Sequence, residues 1–121
     1  KVGRPRLPYQ LQNEVTMGYT NHWQQPNSFN DLAWQMLCLY ATSIAPRPKG
    51  VIVEVHTTPD AYIYVQGGKY EDHEGFYLFK KKSKDDKYHF CKTNRKPYDE
   101  TVWAILSLAE LVGKGFTARH D

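Results

Sequence analysis

The chain has 121 residues, of which 40% are hydrophobic and 24% charged, and its formal net charge is +3. This length and composition predict one globular domain with a real core, and the mild positive charge does not by itself demand a nucleic-acid partner. It has no apolar run near the roughly 20 residues of a membrane span, and its two distant cysteines, Cys38 and Cys91, argue against a disulfide framework and for a reducing, cytoplasmic interior.

The first 16 residues differ from the rest of the chain. They follow neither a helical nor a strand period, and they contain Gly3-Arg4-Pro5-Arg6 followed by Pro8. The tetrapeptide resembles short arms that enter the minor groove of AT-rich DNA. We predict instead that residues 1–16 are a disordered leader or a vector-derived stretch. Residues 17–121 then form a single domain that starts at Met17.

A first helix is predicted over about 28–44. The segment 17–27 before it is polar and aromatic and ends in a Pro-Asn turn signal. Ser28 is a candidate N-cap, and Asp31 follows three residues later as a variant of the capping box. Apolar residues then recur at helical spacing: Phe29, Leu32, Ala33, Met36, Leu37, Tyr40 and Ile44. Pro46 ends the pattern.

Four strands are predicted in the middle of the chain. Residues 51–56 and 61–66 both alternate with period 2 and flank a Pro-Asp turn, so they predict a hairpin. Further strands are expected over about 75–82 and 88–92. Together the four would form an antiparallel meander.

A second helix is predicted after Pro97, with Asp99 as its cap and Gly113 at its end. Its buried stripe consists of Val102, Ile105, Leu106, Ala109 and Val112. The tail 116–121 adds a short edge strand. The element order α-β-β-β-β-α predicts an α+β fold, in which both helices cover one face of a four-stranded antiparallel sheet. The opposite face would carry Glu54, His56, Tyr62 and Tyr64, joined by Tyr77 and Phe79 if the register allows.

Three segments resemble a family of short hypothetical proteins from phages, prophages and metagenomes. Gly18-Tyr19-Thr20-Asn21-His22-Trp23, directly after Met17, resembles that family's Met-Gly-Tyr-Thr-His-Tyr-Trp opening. Phe90-Cys91-Lys92-Thr93-Asn94-Arg95-Lys96-Pro97-Tyr98-Asp99 resembles its Phe-Cys-Lys-Thr-x-Arg-Lys-Pro-Tyr-Asp. His73-Glu74-Gly75-Phe76 resembles its His-Glu-Thr-Phe.

The resemblance spans residues 17–121 and implies a phage origin, a common fold and the cytoplasm of the infected bacterial host. It transfers no catalytic residue. Asn21 and His22 stand where the family has His and Tyr, and Gly75 stands where it has Thr. A role for an imidazole at position 21 is therefore not carried over, unless His22 replaces it.

The first candidate site is Lys92-Thr93-Asn94-Arg95-Lys96, between a strand end and a helix start. Cations, a hydroxyl and the N–H groups of a helix N-terminus together bind anions. Arg95 would hold a phosphate with two hydrogen bonds, and Lys92 would attract it as a point charge. The segment lacks the glycines of a P-loop. The alternative is a solvated basic loop that Asp99 already neutralises.

The second candidate site is the aromatic segment with Tyr19, Thr20, His22 and Trp23. Such rings can stack on a base or another ring system. The alternative is a hydrophobic strap that packs over the edge of the sheet.

Other polar groups give weaker signals. His73 and Glu74 suit acid–base chemistry, but adjacent residues point apart, so a polar turn is the simpler interpretation. His89 and Cys91 share a strand face and would form a nucleophilic pair if Lys92 activated the thiol; a buried cysteine is the alternative. None of the histidines has ligand spacing, and we predict no metal, no cofactor and no catalytic residue.

Three functions stay open. The first is a phage accessory protein that binds a nucleotide or phosphorylated small molecule, and so sequesters a host immune signal, through Tyr19, Thr20, His22, Trp23, Lys92, Thr93, Arg95 and Lys96. The second is a protein-binding inhibitor of a host defence or transcription factor, anchored by Tyr62, Tyr64, Tyr77 and Phe79. The third is nucleic-acid binding by the arm Gly3-Arg4-Pro5-Arg6 together with the lysines at 80, 81, 82 and 84. Two other interpretations of this lysine run are a solvated strand end and an extension of a phosphate-binding surface. An enzyme has the least support, and a homo-oligomer stays open.

Overall fold

The computed structural model describes residues 20–85 and 88–120. Within them the chain is α+β, with β1 (Thr20–Gln24), α1 (Asp31–Ser43), β2 (Ile52–His56), β3 (Tyr62–Gln66), β4 (Phe76–Phe79), β5 (His89–Lys92), α2 (Asp99–Val112) and β6 (Thr117–His120). Neither helix in this part of the chain has the length and apolar character that crossing a bilayer requires. The predictions for the arm 1–16 and for Tyr19 lie outside the described residues.

The strands form two three-stranded antiparallel sheets, with orders β5-β1-β6 and β2-β3-β4. The predicted hairpin is present, since Ile52 pairs with Gln66 and His56 with Tyr62. The prediction of one four-stranded sheet is wrong, because β5 leaves the meander and pairs with β1. The predicted tail strand is β6, which pairs with the other edge of β1.

Strand β1 is the element that the sequence analysis missed. Its burial alternates, with Asn21 and Trp23 buried and His22 only partly covered. A fully buried Asn inside the segment hides this period from a hydrophobic pattern. Trp23 lies opposite His89 on β5 and Ala118 on β6, so β1 is the centre of its sheet.

Helix α1 begins later than predicted, and only part of its predicted stripe is buried, including Ala33 and Leu37. Asn30, not Ser28, is its N-cap, and its side chain accepts a hydrogen bond from the Ala33 N–H at 2.8 Å. Ser28 instead accepts a bond from the Lys82 N–H at 2.9 Å. The buried residues are Ala33, Trp34, Leu37 and Ala41, whereas Leu32, Met36 and Ile44 of the predicted stripe are exposed.

Helix α2 follows its prediction more closely. Val102, Ile105, Leu106 and Ala109 are fully buried. Tyr98 is the N-cap and Asp99 the first helical residue, one position from the predicted cap. The two helices pack on each other, but α1 lies mainly on β2 while α2 lies on β1 and β6. The prediction that both cover one face of a single sheet is therefore corrected to one helix on each sheet.

Two sets of hydrogen bonds join the sheets. At one end the Glu74 N–H donates to the Lys92 carbonyl at 3.2 Å, and the Glu74 carboxylate accepts the Lys92 N–H at 2.7 Å. At the other end Gln25 Nε2 donates to the carbonyls of Phe79 at 2.9 Å and Lys80 at 3.3 Å. Strand β4 is thus tied to β5 near its start and to the end of β1 near its own end, without forming one continuous sheet.

Gly67 provides a test of how tightly the loop before β4 packs. A Cβ at this position would lie 2.1 Å from the Glu71 carbonyl oxygen and 2.7 Å from Tyr98 Cδ1. We expect Gly67→Ala to lower the free energy of unfolding by at least about 2 kcal/mol, because backbone must shift to relieve the overlap. Gly50 is the control: it has φ +87°, but a methyl group at this position would have no other atom within 4 Å, so Gly50→Ala should cost only about 1 kcal/mol of backbone strain. Urea denaturation measures both, and equal losses would contradict the steric argument.

Candidate functional site

A cleft of about 430 Å³ lies between the end of β1, the start of β5 and the end of β4. Its lining combines aromatic, cationic and uncharged polar side chains: Trp23, Gln25, Tyr77, Phe79, Lys80, Lys81, Lys82, Ser83 and His89, with residues 59–61 closing one side. The volume lies within the range of small-molecule sites.

Aromatic rings form the apolar walls of the cleft. Trp23 stacks on His89 with ring centroids 5.6 Å apart and planes inclined by 19°, and it meets the edge of Phe76 at 5.3 Å. Tyr77 and Phe79 on β4 also line the cleft and are exposed by 47% and 39%. Trp23 itself is 5% exposed, so most of the accessible aromatic surface belongs to β4.

The rim of the cleft is cationic. Lys80, Lys81 and Lys82 follow β4 directly, whereas Asp60 is the one carboxylate among the lining residues. Lys80 forms a salt bridge with Asp31 at the start of α1, and Lys81 and Lys82 extend into solvent. Two lysines at the rim are therefore placed to meet an anionic group on a ligand.

The predicted anion loop has an unusual backbone. Asn94 and Arg95 have φ of 53° and 59°, which is the left-handed region that residues with a Cβ rarely adopt. The Lys96 N–H donates to the Thr93 carbonyl at 3.0 Å, which closes a type I′ turn. The turn carries the chain from β5 into α2.

A buried polar cluster holds this loop from inside. The Asp99 carboxylate accepts a hydrogen bond from the Thr93 hydroxyl at 2.6 Å and from Asn21 Nδ2 at 2.8 Å. All three residues are at most 2% exposed. The Thr93 hydroxyl, predicted to face a phosphate, thus faces the Asp99 carboxylate.

The remaining loop cations lie closer to solvent. Lys92 is exposed, and Arg95 and Lys96 are half-buried. The Lys96 ammonium lies 3.9 Å from the Glu71 carboxylate. Lys92 is therefore the most accessible cation of the predicted set.

The two predicted segments meet as neighbouring strands, with Thr20 opposite Lys92. The aromatic segment is divided between two faces, however. Trp23 points toward the cleft with Asn21 on its side of the strand, while Thr20 and His22 alternate to the other face. The structure therefore does not gather the predicted residues into one pocket.

Cys91 lies in an environment that suppresses thiolate formation. Its Sγ is 3.5 Å from the Glu74 carbonyl oxygen. Burial, and next the negative charges of Glu74, Asp99 and Asp72, raise the pKa of the Cys91 thiol to about 12. Burial first and these carboxylates second therefore oppose the activation by Lys92 that the sequence analysis considered, and a buried cysteine is the interpretation that fits. Within residues 20–85 and 88–120, no group of three or more His, Cys, Asp or Glu side chains is arranged to hold a metal ion.

Gln25 and Ser83 are cleft residues that the sequence analysis did not single out. Gln25 is 4% exposed, and its bonds to β4 position the floor of the cleft. No pattern in the neighbouring sequence indicates that Gln25 is buried and bonded to β4, because it follows a polar segment. The lysine run was visible, but its place beside Trp23 depends on contacts between residues far apart in the chain.

Comparison of the chain with protein-family models, with curated proteins and with solved structures finds no match in any of the three.

The raised pKa values of Cys91 and Tyr98 predict that the protein loses stability at alkaline pH. Burial is the main cause that raises the pKa of both groups in the folded chain. The unfolded chain therefore releases these protons first, so the contribution of these two groups to the free energy of unfolding should be fully present below pH about 9 and fall between about 9 and 12. Urea denaturation across this range should give a shallower decline for Cys91→Ala than for the wild type. Parallel declines would contradict a buried neutral thiol.

Proposed function

We propose that this protein is a phage accessory protein that binds a nucleotide or another phosphorylated small molecule in the cleft and so sequesters a host immune signal. The observation that carries the proposal is the lining of the cleft, which places aromatic rings beside a run of lysines. The phage origin rests on the sequence resemblance alone.

The aromatic walls suit a planar ring. Tyr77 and Phe79 line the cleft with exposed rings, and the stacked pair Trp23 and His89 lines it as well. A heterocycle in contact with these rings would gain apolar contact and ring stacking. The cleft is therefore better matched to a base than to an aliphatic ligand.

The lysines suit a phosphate. Lys81 and Lys82 lie at the rim of the cleft and are exposed, while Lys80 is partly neutralised by Asp31. An ammonium group binds phosphate as a point charge. Ser83, at the same rim, adds a hydroxyl that can donate a hydrogen bond.

The loop 92–96 is the other candidate phosphate site, and its geometry favours it less. Its hydroxyl is buried against Asp99, and Lys96 lies near Glu71. The helix that follows begins with two acidic residues, Asp99 and Glu100. These carboxylates already offset the positive end of α2.

The proposal predicts that phosphate affinity depends on the lysines at the rim. AMP should bind the wild type more tightly than adenosine does, and Lys81→Ala/Lys82→Ala should lower AMP affinity about tenfold while leaving adenosine affinity unchanged, since two charge-assisted contacts are lost. Lys49→Ala/Lys114→Ala is the matched control, because both lysines are exposed and neither lines the cleft. Isothermal titration calorimetry measures AMP and adenosine binding by all three proteins.

The Lys92→Ala variant distinguishes between the cleft and the loop 92–96 as the site that binds the phosphate. If it lowers AMP affinity as much as the double variant of the rim should, the phosphate lies at the loop and the cleft assignment is wrong. If neither AMP, ATP nor GMP binds, and native mass spectrometry of the purified protein shows no small-molecule adduct, the proposed function is overturned.

A second candidate function is protein binding through the outer face of the β2-β3-β4 sheet. Tyr64 lies opposite Tyr77 and Tyr62 opposite Phe79, with ring centroids 4.9 Å and 5.1 Å apart. His56 stacks on Tyr62 at 4.6 Å and 11°. Aromatic side chains are frequent anchors of protein interfaces, so this row favours the inhibitor hypothesis.

Tyr62→Ala/Tyr64→Ala tests the aromatic row without replacing a residue that lines the cleft. If the row anchors a partner, a protein that co-purifies with the wild type from a bacterial lysate should be lost from this variant, because each anchor contributes about 2 kcal/mol. Tyr70→Ala is the matched control, since Tyr70 is 80% exposed and lies outside the row. Quantitative pull-down with mass spectrometry compares the three proteins, and equal recovery from all of them would exclude the row.

A further inference from the structure

The outer face of the β5-β1-β6 sheet carries a second set of aromatic and cationic side chains. Cross-strand partners share a face, and His22 on β1 lies opposite Phe90 on β5 and Arg119 on β6. Thr20 and Lys92 form the next pair along the same face. Asn21, Trp23 and Cys91 lie on the other face and are buried.

Two aromatic rings on this face are open to solvent. Phe90 is 58% exposed and Tyr88, just before β5, is 57% exposed. Tyr88 meets the His22 ring edge-on at 6.4 Å and 75°, and the Arg119 guanidinium lies 5.7 Å from its centroid. Exposed rings on a sheet surface offer flat platforms on which unpaired bases stack.

The charge of the face points to a polyanion. Lys92 and Arg119 stand on the two outer strands, on either side of β1. The outward strand positions in the described residues contain no Asp or Glu: Thr20, His22, Gln24, Phe90, Lys92, Thr117 and Arg119. Two cations that flank aromatic rings can contact successive phosphates while the bases stack between them.

The hollow on this face is too small to enclose a nucleotide. The hollow beside His22, Tyr88 and Arg119 has a volume of only about 60 Å³. A nearly flat surface with separate stacking positions instead fits an extended strand whose bases are unpaired, since duplex bases present no free ring face.

We propose that the outer face of the β5-β1-β6 sheet binds single-stranded nucleic acid, with bases stacked on Phe90 and Tyr88 and phosphates held by Arg119 and Lys92. The site lies on the opposite side of β1 from Trp23 and the cleft. It does not depend on the function proposed for the cleft.

Fluorescence anisotropy with a labelled oligothymidylate of roughly 15 nucleotides tests the proposal, with the matching oligouridylate and a duplex of the same length as further probes. The wild type should bind both single strands more tightly than the duplex. Phe90→Ala should weaken single-strand binding about tenfold, because one stacking platform is lost. Arg119→Ala should reduce the slope of log affinity against log salt by about 0.7.

The chain offers a matched control. Tyr70 is 80% exposed, and the Lys69 ammonium lies 5.3 Å from its centroid, much as Arg119 lies over Tyr88. Lys69→Ala and Tyr70→Ala should leave the affinity unchanged. Urea denaturation of Phe90→Ala, measured beside the wild type, shows whether the variant is folded, and this control does not depend on a ligand of the cleft.

Three results would overturn the proposal. The first is a wild type that binds neither single strand at low salt. The second is a Phe90→Ala variant with unchanged affinity, and the third is an equal loss in the Tyr70→Ala control. Equal affinity for the oligothymidylate and the oligouridylate would support a site that contacts only bases and phosphates. A higher affinity for one of them would support the same site with an additional contact to the sugar.

Discussion

The buried carboxylate of Asp99 is the constraint on which the rest of the structure depends. A charge that is 2% exposed needs hydrogen-bond donors, and Asn21 and Thr93 supply them from β1 and from the loop after β5. These bonds join three parts of the chain at the first turn of α2. Because Asn21 is thereby fixed, β1 lies in the middle of its sheet, and Trp23 is carried to the wall of the cleft.

The alternation of β1 then gives the strand two functional sides. Trp23 closes the cleft with His89, while His22 lies between Phe90 and Arg119 on the outer face. The two surfaces differ in shape: one is a concave site bordered by lysines and the other a flat platform. In the two functions proposed above, a single five-residue strand would contribute different side chains to the small phosphorylated ligand and to the extended polyanion.

The sequence predicted those parts of the fold that depend on neighbouring residues. The β2-β3 hairpin follows from period-2 alternation around a Pro-Asp turn, and Tyr77 and Phe79 do share a face with Tyr62 and Tyr64. Strand β1 was not predicted, because the partner that makes a buried Asn21 favourable lies 78 residues away.

The start of α1 was also misplaced because of a contact between distant residues, since the Ser28 side chain bonds to the Lys82 N–H. The anion loop was located in sequence, but the inward direction of the Thr93 hydroxyl depends on Asp99 and Asn21 together. The resemblance to phage proteins stays a prediction.

Gln25 gives the cleft a property that no strand could provide. Its amide spans the gap between the end of β1 and the carbonyls of Phe79 and Lys80, so the separation of the two sheets at that end equals the reach of one side chain. A backbone ladder would fix this spacing at the distance between paired strands. Here the spacing is encoded by a single residue, and replacing it can widen or narrow the opening while every strand keeps its register. The width of the cleft is in this way set separately from the fold that surrounds it.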